Sequence, residues 1–152
     1  MDHASPQPST RLTSREFRGM VAILISIALA TLDTAIANTA LPSIAADLNA
    51  SPAASVWVIN AYQLAAVATL LPLAALGGVI GHRKVYLGGL IVFVVSSVLC
   101  SMAWSLPTLT IARVIQGLGA SAIMSVNAAL IGSIFPPERL GRGLGMNALV
   151  VG

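Results

Sequence analysis

Long apolar runs decide what this chain can fold into. Between Gly19 and Leu41 the one charged residue is Asp33, the runs at 54–80 and 85–104 contain none, and 106–135 contains Arg113 alone. At ~1.5 Å of helical rise per residue, about twenty apolar residues cross a hydrocarbon core of roughly 30 Å. No water is present there to satisfy backbone N–H and C=O groups, so spans of this length fold as helices whose hydrogen bonds are internal. The fold class that follows is an all-α integral membrane protein. Composition agrees: 57% of the residues are hydrophobic and 9% charged, too few charges to coat a water-facing surface.

Local signals divide the runs. Residues 1–18 carry Pro6, Pro8 and several serines without an apolar period and read as a disordered tail. Basic residues before an apolar run would also suit a cleaved signal peptide, but the length of the run and the embedded Asp33 favour a retained span. Pro42 is expected to end that first span. Ser51-Pro52 supplies an N-cap followed by proline in the first helical turn, Gly81 closes the second span, and Pro136-Pro137 stop the fourth. Residues 141–152 look like a fifth helix entering the bilayer, but a dozen residues reach only about 18 Å. Residues 19–152 are thus read as an incomplete N-terminal transmembrane domain of four spans plus the start of a fifth, the chain ending within the membrane.

Charge placement orients the spans. Arg11, Arg15 and Arg18, then Arg83 and Lys84, then Arg139 and Arg142 all fall on one side, whereas residues 42–55 and the turn near Trp104 have neither Lys nor Arg. Trp57 and Trp104 mark that second side as an aromatic belt, and the basic side is cytoplasmic. The expectation is a multi-pass protein of the cell (inner) membrane with a cytoplasmic N-terminus. These scattered cations form no stripe for nucleic acid. Cys100 is alone and His3 and His82 stand far apart, so neither a metal site nor a catalytic set can be assembled. No enzyme activity and no cofactor are expected, and the lipid bilayer is the first partner.

Two charges lie inside the spans, Asp33 and Arg113, and each would cost several kcal/mol against lipid, so both must face protein or water. Asp33 lies about 12 Å from the outer end of the first span and Arg113 about 10 Å from that of the fourth, on antiparallel helices. Their shared depth permits a direct or water-bridged pair. Asp33 can carry a proton; Arg113 cannot, but it can tune the carboxylate. At 100° per residue Arg113, Gln116, Gly117, Ala120, Met124 and Asn127 share one face of the fourth helix. Asp33, Thr34, Ala37 and Asn38 cluster likewise on the first, the pattern of helices lining a cavity. Close helix packing explains Gly117 and Ser121 as well, and Asn60 and Gln63 suit either a pathway or interhelical hydrogen bonds. The turn His82-Arg83-Lys84 reads most simply as a topology determinant.

Three stretches carry a family resemblance. Leu32-Asp33-Thr34-Ala35-Ile36-Ala37-Asn38-Thr39-Ala40-Leu41-Pro42 resembles the first-helix signature of the fourteen-span drug/proton antiporters of the major facilitator superfamily. Leu76-Gly77-Gly78-Val79-Ile80-Gly81-His82-Arg83-Lys84 resembles the superfamily's loop motif between helices two and three, and Arg113-Val114-Ile115-Gln116-Gly117-Leu118-Gly119 its fourth-helix motif. The resemblance runs from about Gly19 to Gly152. One departure stands out: Gly78 occupies a position where the loop motif carries an acidic residue that helps latch the two halves of such transporters.

The resemblance implies an N-terminal portion of a two-half transporter built of inverted triplets, with substrate bound near the midplane. It implies Asp33 and Arg113 as proton-coupling residues, and Gly81, Arg83 and Lys84 as the conformational loop. Thr34, Asn38, Asn60, Gln63, Gln116 and Asn127 become candidates for the cavity. The expected activity of the intact protein is export of amphipathic, often cationic, small molecules in exchange for protons, with a C-terminal half required. A metabolite or sugar exporter of the same superfamily and a transport-dead truncated membrane protein are the other readings of the same residues.

Overall fold

The computed structural model describes residues 13–47 and 50–134, with Gly141 and Gly145. Four helices follow in order: α1 (Ser14–Asp47), α2 (Pro52–Ile80), α3 (His82–Ser101) and α4 (Leu106–Ile134). All four are long and apolar enough to cross a bilayer. Among the described residues there is no strand. The expected tail lies outside the described residues up to position 12, and so does nearly all of the expected fifth span.

Two boundaries differ from expectation. Residues 14–18 already belong to α1, and α1 runs through Pro42 to Asp47 instead of stopping there. Proline at 42 deprives one carbonyl, that of Asn38, of its helical donor and leaves the rest of the ladder intact. A single missing bond is tolerated in a membrane helix, especially near its end where water can reach the freed carbonyl. The same holds for Pro72 inside α2.

The short turns follow local chemistry. Ser51 has extended backbone, and its hydroxyl oxygen accepts from the Ala54 N–H at 3.2 Å, satisfying a donor that α2 leaves free in its first turn. Gly81 alone joins α2 to α3, with φ at 99° and its N–H donating to the Gly77 carbonyl at 3.0 Å. A side chain at that φ would be strained, which is why this one-residue turn carries glycine. Substituting Ser51→Ala is expected to lower stability by about 1 kcal/mol, because the cap bond is lost with nothing else in contact disturbed. Thermal unfolding of the full-length protein checks this, and an unchanged midpoint would rule out the cap as a stabilising contact.

Helix α4 is the centre of the bundle, packed along its length against both α2 and α3. Glycines set these approaches. A Cβ on Gly119 would lie 2.6 Å from the Phe93 backbone nitrogen, and one on Gly89 would lie 2.5 Å from the Ala122 Cβ, so α3 and α4 meet backbone to backbone. Gly117 does the same toward α2, its missing Cβ replaced by the Tyr62 carbonyl 2.5 Å away. Small residues drive such contacts in a membrane because lipid is as apolar as leucine, so that close dispersion contact replaces the hydrophobic effect.

Helix α1 lies against this unit along the stripe Met20, Ile23, Ile27 and Ala30, which joins Phe93, Ile123, Val126 and Ile131 in the core. The Tyr86 hydroxyl donates across to the Ala22 carbonyl at 3.2 Å. The opposite face of α1, with Ile25, Leu29, Leu32 and Ile36, is exposed, as are Val67, Leu71 and Val79 of α2. In a bilayer such surfaces meet lipid or further helices at no hydrophobic cost.

Candidate functional site: a buried ion pair beside a cavity

Asp33 and Arg113 meet directly. Arg113 Nη1 donates to Asp33 Oδ2 at 2.6 Å, a short, charge-assisted bond between α1 and α4. Arg113 is 8% exposed and the Asp33 side chain retains 23% of its surface, so the carboxylate is the partner nearer to solvent. The pair also ties down the helix with the fewest packing contacts to its neighbours.

Gln116, fully buried one turn along α4 from Arg113, closes the arrangement into a triangle. Its Oε1 accepts from Arg113 Nη1 at 2.7 Å and its Nε2 donates to Asp33 Oδ1 at 3.0 Å. The amide reaches α3 as well. Nε2 also donates to Ser97 Oγ at 2.8 Å, while the Cys100 thiol donates to Oε1 at 3.7 Å. Ser97 gives its own proton to the Phe93 carbonyl at 2.9 Å, leaving a lone pair for Gln116. Two donors thus face the amide oxygen and two acceptors face its nitrogen, which fixes the orientation of the group. Both oxygens of Asp33 are engaged, one by a cation and one by a neutral donor.

Tyr62 of α2 completes the surroundings, its ring centroid 5.8 Å from the guanidinium carbon of Arg113. That distance suits a cation–π contact. Tyr62 also borders a cavity of about 590 Å³ between α1, α2 and α4. Thr34 and Asn38 of α1, Gln63 of α2, and Ser121 and Met124 of α4 line it, among mostly apolar neighbours. Ser121 is 1% exposed, and its hydroxyl has no hydrogen-bond partner among the described residues.

The structure therefore separates the polar residues singled out in the sequence into two groups. Asp33, Arg113 and Gln116 form the ionic cluster, with Gln116 behind the cavity wall and not in its lining. Thr34, Asn38 and Gln63 line the cavity. Asn60 is exposed on α2 outside the lining, and Asn127 is buried on α4 away from it. Sequence reasoning passed over Ser97, Cys100 and Tyr62. For Ser97 and Cys100 the signal was present in their spacing, which puts two small polar groups on one face of an otherwise apolar span; Tyr62 on α2 had none.

At the α2–α3 turn, Gly81 has its positive φ while Arg83 and Lys84 are exposed. Gly78 has open space where a Cβ would stand, so no steric conflict explains why this position lacks an acidic side chain.

The profile of the Major Facilitator Superfamily matches residues 23–152. An uncharacterized transporter of Escherichia coli K12, YebQ, is 52% identical over 137 residues, covering 90% of this chain and 30% of that protein. The riboflavin transporter RibZ of Clostridioides difficile is 36% identical, covering 88% of this chain and 29% of the relative. The drug efflux pump JefA of Mycobacterium tuberculosis is 36% identical, covering 85% of this chain and 25% of the relative. The chain thus spans less than a third of the length of these relatives.

Proposed function

Because this chain belongs to the Major Facilitator Superfamily, we propose that it forms the proton-coupling wall of a transporter that exports amphipathic small molecules in exchange for protons. One observation carries this reading. Asp33 is an ionisable group inside a membrane helix, clamped by Arg113 and Gln116, beside a cavity large enough for a drug-sized molecule.

The cluster is suited to two states. With α1 against α4, one carboxylate oxygen of Asp33 is held by Arg113 at 2.6 Å and the other by Gln116 at 3.0 Å. A rocking movement that parts α1 from α4 would release both carboxylate oxygens of Asp33 from Arg113 and Gln116 and open them to the cavity. Loading a proton then accompanies separation, and reclosure on Arg113 expels it. Helices that close against each other through an ion pair, one further hydrogen bond from Gln116 and a narrow apolar stripe, as α1 and α4 do, can part without breaking the glycine-packed α2–α4–α3 unit.

Orientation follows from the basic residues. Arg18 at the start of α1 and Arg83 and Lys84 at the α2–α3 turn support a reading in which the N-terminus and that turn face the cytoplasm. Drug efflux is the leading substrate reading, by analogy with JefA. Export of a metabolite is the second, because RibZ is named for riboflavin.

The test uses the full-length transporter reconstituted in vesicles with a fluorescent aromatic substrate and an imposed pH gradient. Accumulation is expected to follow the gradient and to collapse when an ionophore removes it. Accumulation indifferent to the gradient would sink the proton-coupled reading.

A further inference from the structure

The cluster around Asp33 divides by how firmly each member is held. Asp33 stands on α1, the helix most loosely packed against the others. Its partners belong to the glycine-packed unit. Arg113 and Gln116 sit one turn apart on α4, and Tyr62 faces Arg113 from α2, where its own carbonyl fills the place of the missing Cβ of Gly117. Ser97 and Cys100 reach Gln116 from α3.

A carboxylate returning with α1 meets two donors, Arg113 Nη1 and Gln116 Nε2, whose spacing has to match its two oxygens. A glutamine side chain has several rotatable bonds and does not keep its amide in one place unaided. Ser97 supplies the restraint. Its Oγ donates to the Phe93 carbonyl at 2.9 Å and accepts from Gln116 Nε2 at 2.8 Å, a shorter bond than the 3.0 Å that Nε2 makes to Asp33. Phe93 is itself a point where α3 meets α4 backbone to backbone, since a Cβ on Gly119 would fall 2.6 Å from its nitrogen. The hydroxyl is thus anchored one turn from a rigid seam. Turning the amide end for end would set its oxygen against the Asp33 carboxylate and its NH2 against the guanidinium, so the orientation that Ser97 holds is the one that receives Asp33.

We propose that Ser97 is a positioning residue for proton coupling: through Gln116 it keeps the two donors that receive Asp33 at carboxylate spacing while α1 is away. Helix α3 lends no residue to the cavity between α1, α2 and α4, yet takes part in coupling by this route. The inference rests on the proton-exchange reading above and deepens it. Cys100, whose thiol donates to Gln116 Oε1 at 3.7 Å, is a weaker second restraint. Without Ser97 the amide has to be ordered again at each closure, whereas substrate in the cavity meets the same lining as before.

The test uses the full-length transporter in vesicles under an imposed pH gradient, with ethidium and riboflavin as probes and rates taken per folded transporter. Ser97→Ala is expected to lower the maximal rate about tenfold while KM stays within about twofold, because ordering a freed glutamine burdens closure and not substrate binding. Ser97→Thr keeps a hydroxyl that bonds the carbonyl one turn back, and is expected to restore the rate. If Ser97→Ala does not fold, Ser97→Cys, which keeps the volume and replaces the oxygen by a poor acceptor, carries the same expectation. Since Ser97 acts through Gln116, adding Ser97→Ala to Gln116→Met should slow the transporter no further. A residue with only a packing role would lower the folded yield, or move KM and rate together. An unchanged maximal rate in the Ser97 variants overturns the proposal, as do losses that multiply in the double variant, and both outcomes leave proton exchange standing. Wild-type transport indifferent to the gradient ends both readings.

Discussion

Asp33→Asn in the full-length protein is expected to abolish accumulation driven by a pH gradient while leaving substrate binding near its wild-type strength. The two readouts separate because the residues that hold the two functions are different. Asp33 belongs to the triangle with Arg113 and Gln116, whereas the cavity is lined by Thr34, Asn38, Gln63 and Ser121. Asparagine matches aspartate in size, and its carbonyl can still accept from Arg113, although its NH2 group then faces the Gln116 Nε2 donor and that one bond is lost. What it cannot do is take up and release a proton, and an exchanger without that step has no way to draw on the gradient.

The loss of a buried partner carries a structural cost that has to be measured alongside. Removing one member of a buried pair can destabilise by about 3–5 kcal/mol when the other charge is stranded. Here Arg113 keeps the Gln116 oxygen at 2.7 Å and the Tyr62 ring, so the penalty should fall below that range. A variant that elutes as wild type on gel filtration and binds substrate yet moves none of it against the gradient is the expected result. Gradient-driven accumulation by Asp33→Asn would remove this residue from the coupling step.

How much of this was legible beforehand depends on the physical range of each feature. The existence of the four helices needed only apolar length, and the Ser51 and Gly81 boundaries needed only local cap and turn chemistry. The shared depth of Asp33 and Arg113 came from counting residues along antiparallel helices, without any knowledge of which helices are neighbours. Pro42 misled because a proline removes only one helical bond, and near the end of a span water can satisfy the freed Asn38 carbonyl, so the helix continues to Asp47. The role of Gln116 was invisible for another reason. Its helical face was readable, but whether that face meets a cavity or a third helix depends on how α3 sits against α4, and hence on glycines whose purpose shows only in three dimensions. Ser97 and Cys100 take their meaning from the same contact.

Those glycines allow the fold to be tested independently of transport. Gly88 and Gly89 are adjacent on α3 and gain equally in helix propensity when replaced by alanine, by up to about 1 kcal/mol. Their surroundings are opposite. A Cβ at Gly88 meets nothing within 4 Å, while one at Gly89 would stand 2.5 Å from the Ala122 Cβ and 2.9 Å from the Gly119 carbonyl. Neither obstacle is the tip of a flexible side chain, so relief requires α3 and α4 to move apart. Overpacking of a tight core costs about 1–3 kcal/mol, enough to outweigh the propensity gain. Gly88→Ala is therefore expected to leave stability unchanged or slightly raised, and Gly89→Ala to lower it by about 1–3 kcal/mol, read as thermal unfolding of the full-length protein in detergent. Separation of α3 from α4 also pulls Ser97 and Cys100 away from Gln116, so the damaged variant should show weakened coupling even where it remains folded. Equal midpoints for the two variants would mean that the α3–α4 approach at Gly89 and Gly119 is looser than described. The route from α3 to the Asp33 cluster would then lose its mechanical basis, because that close approach is what holds the Gln116 amide against Ser97.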